Sequence, residues 1–547
     1  MNARRQEPDE ADRRVLARAF ARARDRAAAR PAALDLLERL LMTAGTERRR
    51  LTFVLRFQQT SGPATAKGVE DTALYRYVPL VSLNEVGGEP DRPLDDAVDL
   101  LHEANRLRAE RWPLALVSTN THDTKRSADV RARIDVLSEM PDEWARTVAR
   151  WRRLHRGLRI PVRGRLAPDA STEYLLYQTL VGIWPLGAPS RELVATSYEI
   201  AAALPDRETL RELRERVSAY MLKAAREAKT HTSWTDPDTE WEGALSRFID
   251  TLFGEPAEDG RGVTVGSPPA MLLELAQLVA RIARAGMWNA LSRLVVHCTA
   301  PGTPDVYQGD ELWNLSLVDP DNRRPVDFAL RARLLAEIER AYSAGEAERA
   351  ELLRDMVRAP HDGRVKLHIT QRLLVTRREH PELFVRGSYE PVRVEGPGAR
   401  HVVAFLRRHD RELALVAVPR LLLTALGGPE RSARHAEREE ADPYSLAIPP
   451  DTWRDTRLVL EEELSETTWW CVLSGAQLSP GRADDVAQAT QIPSGGAVPA
   501  AIEPPTGPLS TRHAGTAVAY RQAAELTVHQ MFRALPVALL LAERPHV

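Results

Sequence analysis

With 547 residues, 43% of them apolar and 28% charged, the chain is long enough to bury several cores, and two or three domains are expected. A net charge of -2 gives no electrostatic ground for a nucleic-acid or anionic-membrane partner. Two cysteines, Cys298 and Cys471, exclude a disulfide framework and a cysteine-based metal cluster.

The opening stretch MNARRQEPDEADRR is charged and lacks the apolar core of a secretion signal. Apolar runs such as LPVALLLA are too short to span a bilayer, so a cytoplasmic location is the simplest expectation. Residues 10–45 read as two Ala/Arg/Leu-rich helices broken near Pro31. The run ERRRLTFVLRFQQ continues helically and is expected to stop in TSGPATAKG, a Gly- and Pro-containing loop. Glu70 and Asp71 follow it, adjacent and therefore on opposite faces of any strand, and the glycines lack the GxxxxGK[ST] spacing of a phosphate loop.

A helix over about 94–111 precedes the strand PLALVST, which ends abruptly in His122 and Asp123, with Lys125 two residues on. A carboxylate at that place can bond sugar hydroxyls or stabilise a cationic transition state. It can equally cap the helix that follows, since Asp is favoured at helix starts. Residues 126–260 read as almost wholly helical, DEWARTVARWRRL and TLRELRERVSAYMLKAAREA having the clearest period. The second of these ends in a polar loop with Lys229, His231 and Trp234. An indole among polar groups suits the face and hydroxyls of a sugar, while a capped helix junction with Trp234 in the core is the other reading.

The helix AMLLELAQLVARIARAGMWNALSRLVVHC runs into TAPGTPDVYQGDELW, where Asp310 and Glu311 follow a glycine. Asp319, Asp321, Arg323 and Arg324 come next, as hydroxyl-binding groups or internally paired charges. From about residue 365, runs such as PVRVE and HVVAFLRR suggest an antiparallel β-domain, interrupted by a loose Gly/Pro/Ser/Ala-rich segment over 476–512. There is no internal repeat and no evident metal-ligand geometry. The conspicuous polar residues lie just after strands, where parallel α/β barrels carry their active sites.

Of 75 Lys+Arg residues only five are lysines, Lys67, Lys125, Lys223, Lys229 and Lys366. An ammonium is a compact donor on a flexible stem and a guanidinium a wide planar fork. The retained lysines are therefore candidates for places where donor shape matters.

Taken together, RFQQTSGPATAKGVEDTALYRY, SLNEVGGEP, THDTKRSADVRARI, REAKTHTSW and PGTPDVYQGDELWNLSLVDPDNRRPVDF occur in one order that resembles the maltooligosyl trehalose synthases of the α-amylase superfamily. The resemblance runs from about residue 10 to the end and weakens after residue 475. It implies an α/β fold: the C-terminal part of a (β/α)₈ barrel with a large helical insertion, plus a C-terminal antiparallel β-domain. The implied division is a partial barrel segment at 1–125, the insertion at 126–285, the end of the barrel at 286–364 and the β-domain at 365–547. The implied activity is an intramolecular transglucosylation without a cofactor, turning the reducing-end α-1,4 bond of a maltodextrin into an α,α-1,1 bond. Asp123 then matches the acid that stabilises the oxocarbenium-like transition state, and His122 its hydrogen-bonding neighbour. Lys67, Lys125, Lys229 and Trp234 match motifs that would hold the substrate.

A retaining enzyme of this kind also needs a nucleophile and a general acid about 5–5.5 Å apart. The family carries them on earlier strands, in a DGxRIDH-type motif and a following strand bearing a glutamate, and neither motif is in this chain. Two expectations follow. Either the chain works with a missing N-terminal barrel half, or it is a non-catalytic module that binds α-glucan or scaffolds a partner.

Overall fold

The computed structural model describes residues 9–26, 30–42, 47–92, 97–186, 204–254, 270–429, 431–432, 445–482 and 524–543. These fall into two units, Met1–Tyr77 with Ala224–Pro237, and Val78–Lys223 with Asp238–Val547. Among the described residues no helix is long and apolar enough to cross a membrane.

In the first unit, helices Glu10–Arg26, Pro31–Met42 and Arg48–Thr65 close around Phe20, Leu41 and Val54, with Leu16, Leu34 and Leu37 packed against them. Pro31 opens its helix, the position where its missing N–H costs nothing. The expected loop at TSGPATAKG is instead helical. The third helix runs through Pro63 and widens into a π-helical stretch, Ala66–Ala73. Ser and Thr are accommodated there because their hydroxyls bond back to the helix: Thr60 Oγ1 donates to Arg56 O at 2.8 Å and Ser61 Oγ to Gln58 O at 2.8 Å.

The second unit is mostly helical, with short strands. Helix Ala97–Arg111 leads to β1 (Leu116–Ser118). The expected helical stretch contains helices Ala128–Asp135, Pro141–Leu154, Ala170–Ile183, Thr239–Leu252 and Arg207–Ala228, the last of which belongs to this unit as far as Lys223, but also a hairpin, β2 (Ile160–Val162) and β3 (Arg165–Ala167). Arg163 and Gly164 turn it, both with positive φ (48° and 78°). Two consecutive left-handed residues make the tight turn that matches strand twist. The 30-residue helix Ala270–Thr299 then delivers the chain to β4 (Thr303–Asp305), which pairs in parallel with β1, Val117 opposite Pro304.

Helix Ala128–Asp135 is wedged between two others by absent side chains. A Cβ on Gly286 would lie 2.9 Å from Arg133 Cα, and one on Gly182 would lie 2.7 Å from Val130 Cγ1. Val130, Ala132 and Ile134 are consequently fully buried. The helix begins five residues after Asp123, with Ser127 as its cap, so it anchors one end of the segment that carries His122 and Asp123.

The strands of the C-terminal region begin only at β5 (Glu390–Pro391), because residues 364–385, which composition assigned to the β-domain, form helices Arg364–Glu379 and Pro381–Val385. After β6 (Arg393–Glu395), β7 (Val402–His409) and β8 (Glu412–Pro419) form a hairpin, followed by β9 (Arg457–Leu460), β10 (Trp469–Cys471), β11 (Gln477–Leu478), β12 (Gly481–Arg482), β13 (Ala524–Thr527) and β14 (Ala538–Glu543). They form a six-stranded sheet, β11-β10-β14-β8-β7-β5, and a four-stranded sheet, β12-β13-β9-β6. The paired strands run antiparallel, as expected from the short β-branched and apolar runs. Most of the expected loose segment, 483–512, lies outside the described residues. Arg407 on β7 is wholly buried and donates to four carbonyls, Ser388 O, Thr299 O, Phe384 O and Gly387 O, at 2.7–3.0 Å. Five fixed donors suit that task as no ammonium would.

Two buried imidazoles give this unit a pH dependence. Tyr177 gives its only proton to Glu173 Oε1 (2.7 Å), so His155 Nδ1, 2.7 Å from the phenol oxygen, is the donor of that pair. His368 Nε2 sits 2.8 Å from Leu473 O. Burial pushes both imidazoles down to about 4. The unfolded chain therefore binds protons first, and their contribution is complete above pH 6.5 and lost as pH falls towards 4. Each is expected to remove about 3 kcal/mol between pH 7 and pH 4. Urea unfolding at both pH values tests this: the loss should be clearly smaller when His155→Gln and His368→Gln are combined, and an equal loss would remove the imidazoles from the account.

Candidate active site

The segment after β1 is built from its buried partners outward. Asn120, the last buried residue before the turn, donates through Nδ2 to Asp310 Oδ2 (2.6 Å) and accepts at Oδ1 from Ala128 N (2.7 Å). Asp310 Oδ1 accepts from Asn314 Nδ2 at 2.7 Å. Burial pushes the Asp310 carboxyl up to about 6, Lys366 opposing and Asp129 reinforcing the rise. On the other side Glu85 is buried and accepts from three backbone amides, Lys125 N (2.8 Å), Arg126 N (3.3 Å) and Val86 N (2.9 Å).

The motif SLNEVGGEP thus supplies the carboxylate that organises the backbone just past Asp123. Residues 125–127 lie against 316–318, with Val318 N donating to Lys125 O (3.1 Å) and Ser127 N to Ser316 O (2.9 Å). Ser127 caps helix Ala128–Asp135 by accepting from Val130 N. The cap is therefore Ser127, and Asp123 is left exposed to solvent. Its own amide donates to Thr121 Oγ1 at 3.2 Å. Asn322 Nδ2 donates to Thr121 O (3.2 Å) and His122 O (3.0 Å), clamping the turn from the DPDNRR loop.

The acids of that loop are paired internally. Asp319 accepts from Lys223 Nζ at 2.8 Å and lies 3.2 Å from Arg323. Burial would raise its carboxyl, yet Lys223, Arg323 and His122 bring it below the ordinary value. Asp321 takes Arg216 by both oxygens (2.8 and 2.9 Å) and meets Arg324 at 3.2 Å. Glu311, the neighbour of Asp310, pairs with Arg331 at 2.9 Å. Burial pushes the Arg131 guanidinium down to about 10, and it donates to Thr119 O.

Of the expected site residues, His122 and Asp123 share one exposed turn in the second unit, where Lys125 is wholly buried beside them. Lys67, Lys229 and Trp234 belong to the first unit. There Lys67 pairs with Asp71, Thr72 Oγ1 donates to Lys67 O at 2.8 Å, and Lys229 Nζ donates to Thr72 Oγ1 at 3.2 Å. Lys229 has φ 52° at the end of its helix, where Arg76 caps the carbonyls of Ala228 (2.5 Å) and Lys229 (3.3 Å). Trp234 is exposed, not in the core, with its Nε1 on Glu227 (2.9 Å) and Arg226 5.0 Å from its ring centre. Among the described residues no three or more His, Cys, Asp or Glu side chains converge to hold a metal ion. Sequence reasoning missed Glu85, Asn120 and Asn322 as builders of the turn. The only signal was that each sits in a polar motif without a helical or strand period.

No protein-family model matches the chain. It is 38% identical over 366 residues to proteins from two strains of Mycobacterium tuberculosis that are provisionally assigned as maltooligosyl trehalose synthases, matching 67% of this chain and 39% of each relative. In backbone it is similar to the maltooligosyltrehalose synthase of Arthrobacter ramosus, at 33% identity and a TM-score of 0.63, covering 97% of this chain and 51% of that one. A crystal structure of another maltooligosyl trehalose synthase gives 27% identity and 0.55 over 79% and 46%. The chain thus spans about half the length of the solved relatives and less of the curated ones. By sequence and by backbone, this chain is a relative of the maltooligosyl trehalose synthases, which belong to the α-amylase superfamily.

Proposed function

We propose that the chain takes part in the intramolecular transglucosylation that turns the reducing-end α-1,4 bond of a maltodextrin into an α,α-1,1 bond, forming a trehalose unit. The observation that carries this is Asp123, exposed on a turn just past the carboxyl end of a parallel strand, its amide donating to Thr121 Oγ1. One acetal bond is exchanged for another, so the step is redox-neutral and consumes no cofactor. Asp123 stabilises the oxocarbenium-like transition state, with His122 beside it. Lys67, Lys229 and Trp234 hold the maltooligosaccharide. Lys125, being buried, serves the substrate by shaping the turn. A cytoplasmic location suits such a substrate.

In this reading the nucleophile and the general acid come from an N-terminal barrel half outside this chain, and β1 and β4 are barrel strands that it completes. The helices at 126–285 are the insertion, and the sheets after β5 the C-terminal β-domain. Support comes from the surface of the parallel pair. Among the described residues β1 and β4 pair only with each other, and Leu116 is 78% exposed with Leu114 (68%) and Trp112 (58%) before it. Parallel sheets are ordinarily covered on both faces, and bare apolar edges invite pairing.

The test is loss of reducing ends from maltohexaose, with the chain alone and with the N-terminal half of the Arthrobacter ramosus enzyme supplied. Turnover only in the second arm is the expected result. Turnover by the chain alone would refute the need for a second half, and silence in both arms, with the complex shown to form, would refute the reaction. Leu116→Arg sharpens the test. At an exposed site it should change stability by less than about 0.5 kcal/mol, yet it should reduce complementation at least tenfold. Undiminished complementation would place the added strands elsewhere.

A further inference from the structure

We infer that Asp310 is a positioning residue for the turn that carries His122 and Asp123, acting through Asn120. The inference rests on the proposed function for its catalytic meaning, but the geometry stands by itself. Asn120 joins the two ends of the turn with one amide group. Its oxygen takes the first helical amide, Ala128 N (2.7 Å), while its nitrogen is spent on Asp310 Oδ2 (2.6 Å). Since the amide is planar, rotating it to any other partner would break both bonds at once. Asp310 thus dictates which way the Asn120 amide faces, and with it the spacing between the end of β1 and the start of helix Ala128–Asp135.

The chemistry at position 310 is specified just as closely. Both Asp310 oxygens face N–H donors, from Asn120 and from Asn314 (2.7 Å), so the group must accept twice. An amide there would confront one NH₂ with another. The Asn314 main chain is held, its backbone amide donating to Asp129 Oδ2 (2.8 Å), which Lys366 Nζ also meets at 2.7 Å. Lys366 therefore braces the network but gives its hydrogen bonds to Asp129 and to Leu312 O (3.0 Å). A buried carboxylate whose hydrogen-bond donors are neutral amides is costly, and burial raises its proton affinity even with Lys366 opposing. Such a cost is characteristic of a group retained for geometry rather than for stability.

An exchange of the two residues tests the inference. Asp310→Asn and Asn120→Asp each leave a clash, donor against donor or acceptor against acceptor. The double substitution restores every bond: the carboxylate now at 120 accepts from Ala128 N and from the amide at 310, whose oxygen accepts from Asn314. Hydrogen exchange of peptides covering 119–128 is read first, in the chain without substrate. Each single variant should accelerate it at least tenfold and the double variant should return it to within threefold of wild type.

In the complemented enzyme, kcat should fall 10- to 100-fold in the single variants with KM changed less than threefold, and recover in the exchange. Unchanged exchange in the single variants would overturn the tether. Recovery of hydrogen exchange without recovery of kcat would overturn the positioning role. If the wild type turns over nothing in any arm, the reaction reading fails, and the exchange data still decide whether Asp310 holds the turn.

Discussion

Asp123→Asn is expected to lower turnover of the complemented enzyme by at least about 10³-fold, corresponding to roughly 4 kcal/mol of lost transition-state stabilisation, while maltohexaose binds within about threefold of wild type. The substitution keeps shape and removes charge. The turn itself depends on groups other than the Asp123 carboxylate: its amide bonds Thr121, Asn322 clamps the carbonyls of Thr121 and His122, and Glu85 gathers the amides beyond. The variant should therefore fold and bind, and lose only the stabilisation of developing positive charge. Reducing-end assays paired with calorimetric titration of maltohexaose separate the two quantities. Turnover within tenfold of wild type would remove Asp123 from the catalytic set, and lost binding would make it a substrate anchor instead.

Lys366→Met should be the most damaging of the lysine substitutions to stability, by about 3–5 kcal/mol in urea unfolding. Lys366 and Asp129 have side chains only 5% exposed each and meet at 2.7 Å. Removing the ammonium leaves a buried carboxylate with the Asn314 amide as its remaining hydrogen bond of 2.8 Å. It also removes the cation lying 5.7 Å from the centre of the Trp313 ring. Adding Asp129→Asn should recover the greater part of the loss, because the cost is the stranded charge rather than the lost pair. A loss below about 1 kcal/mol would mean that water reaches the pair.

These two residues mark what was legible in the sequence. Asp123 stood out because it comes just after an apolar strand ends, a local event that reads directly. Lys366 stood out only as one of five lysines, since Asp129 lies far from it along the chain. The same distance hid the Asp310–Asn120 bond and the role of Glu85, whose carboxylate serves amides about 40 residues away. Local signals served the helices well at Pro31, where a proline at a helix start leaves little choice. They misled at Gly62 and Pro63, where turn-forming residues sit inside a helix that tolerates them through hydroxyl back-bonding and a wider π-helical turn. The β2–β3 hairpin escaped notice because strands of three residues carry no measurable alternation, and only Gly164 at its turn hinted at it. The start of the sheets was placed too early, since residues 364–385 pack as helices whose buried positions look like strand interiors.

The scarcity of lysine has a practical chemical consequence. Lys125 and Lys366 are buried, and Lys223 is largely shielded while held by Asp319. An amine-reactive acylating reagent thus meets just two well-exposed side-chain amines, Lys67 and Lys229, in the folded chain. Both belong to the proposed sugar-binding motifs. In a protein so rich in arginine, lysine acylation becomes a nearly selective label for that surface, and a bound maltooligosaccharide could be followed by the protection it confers.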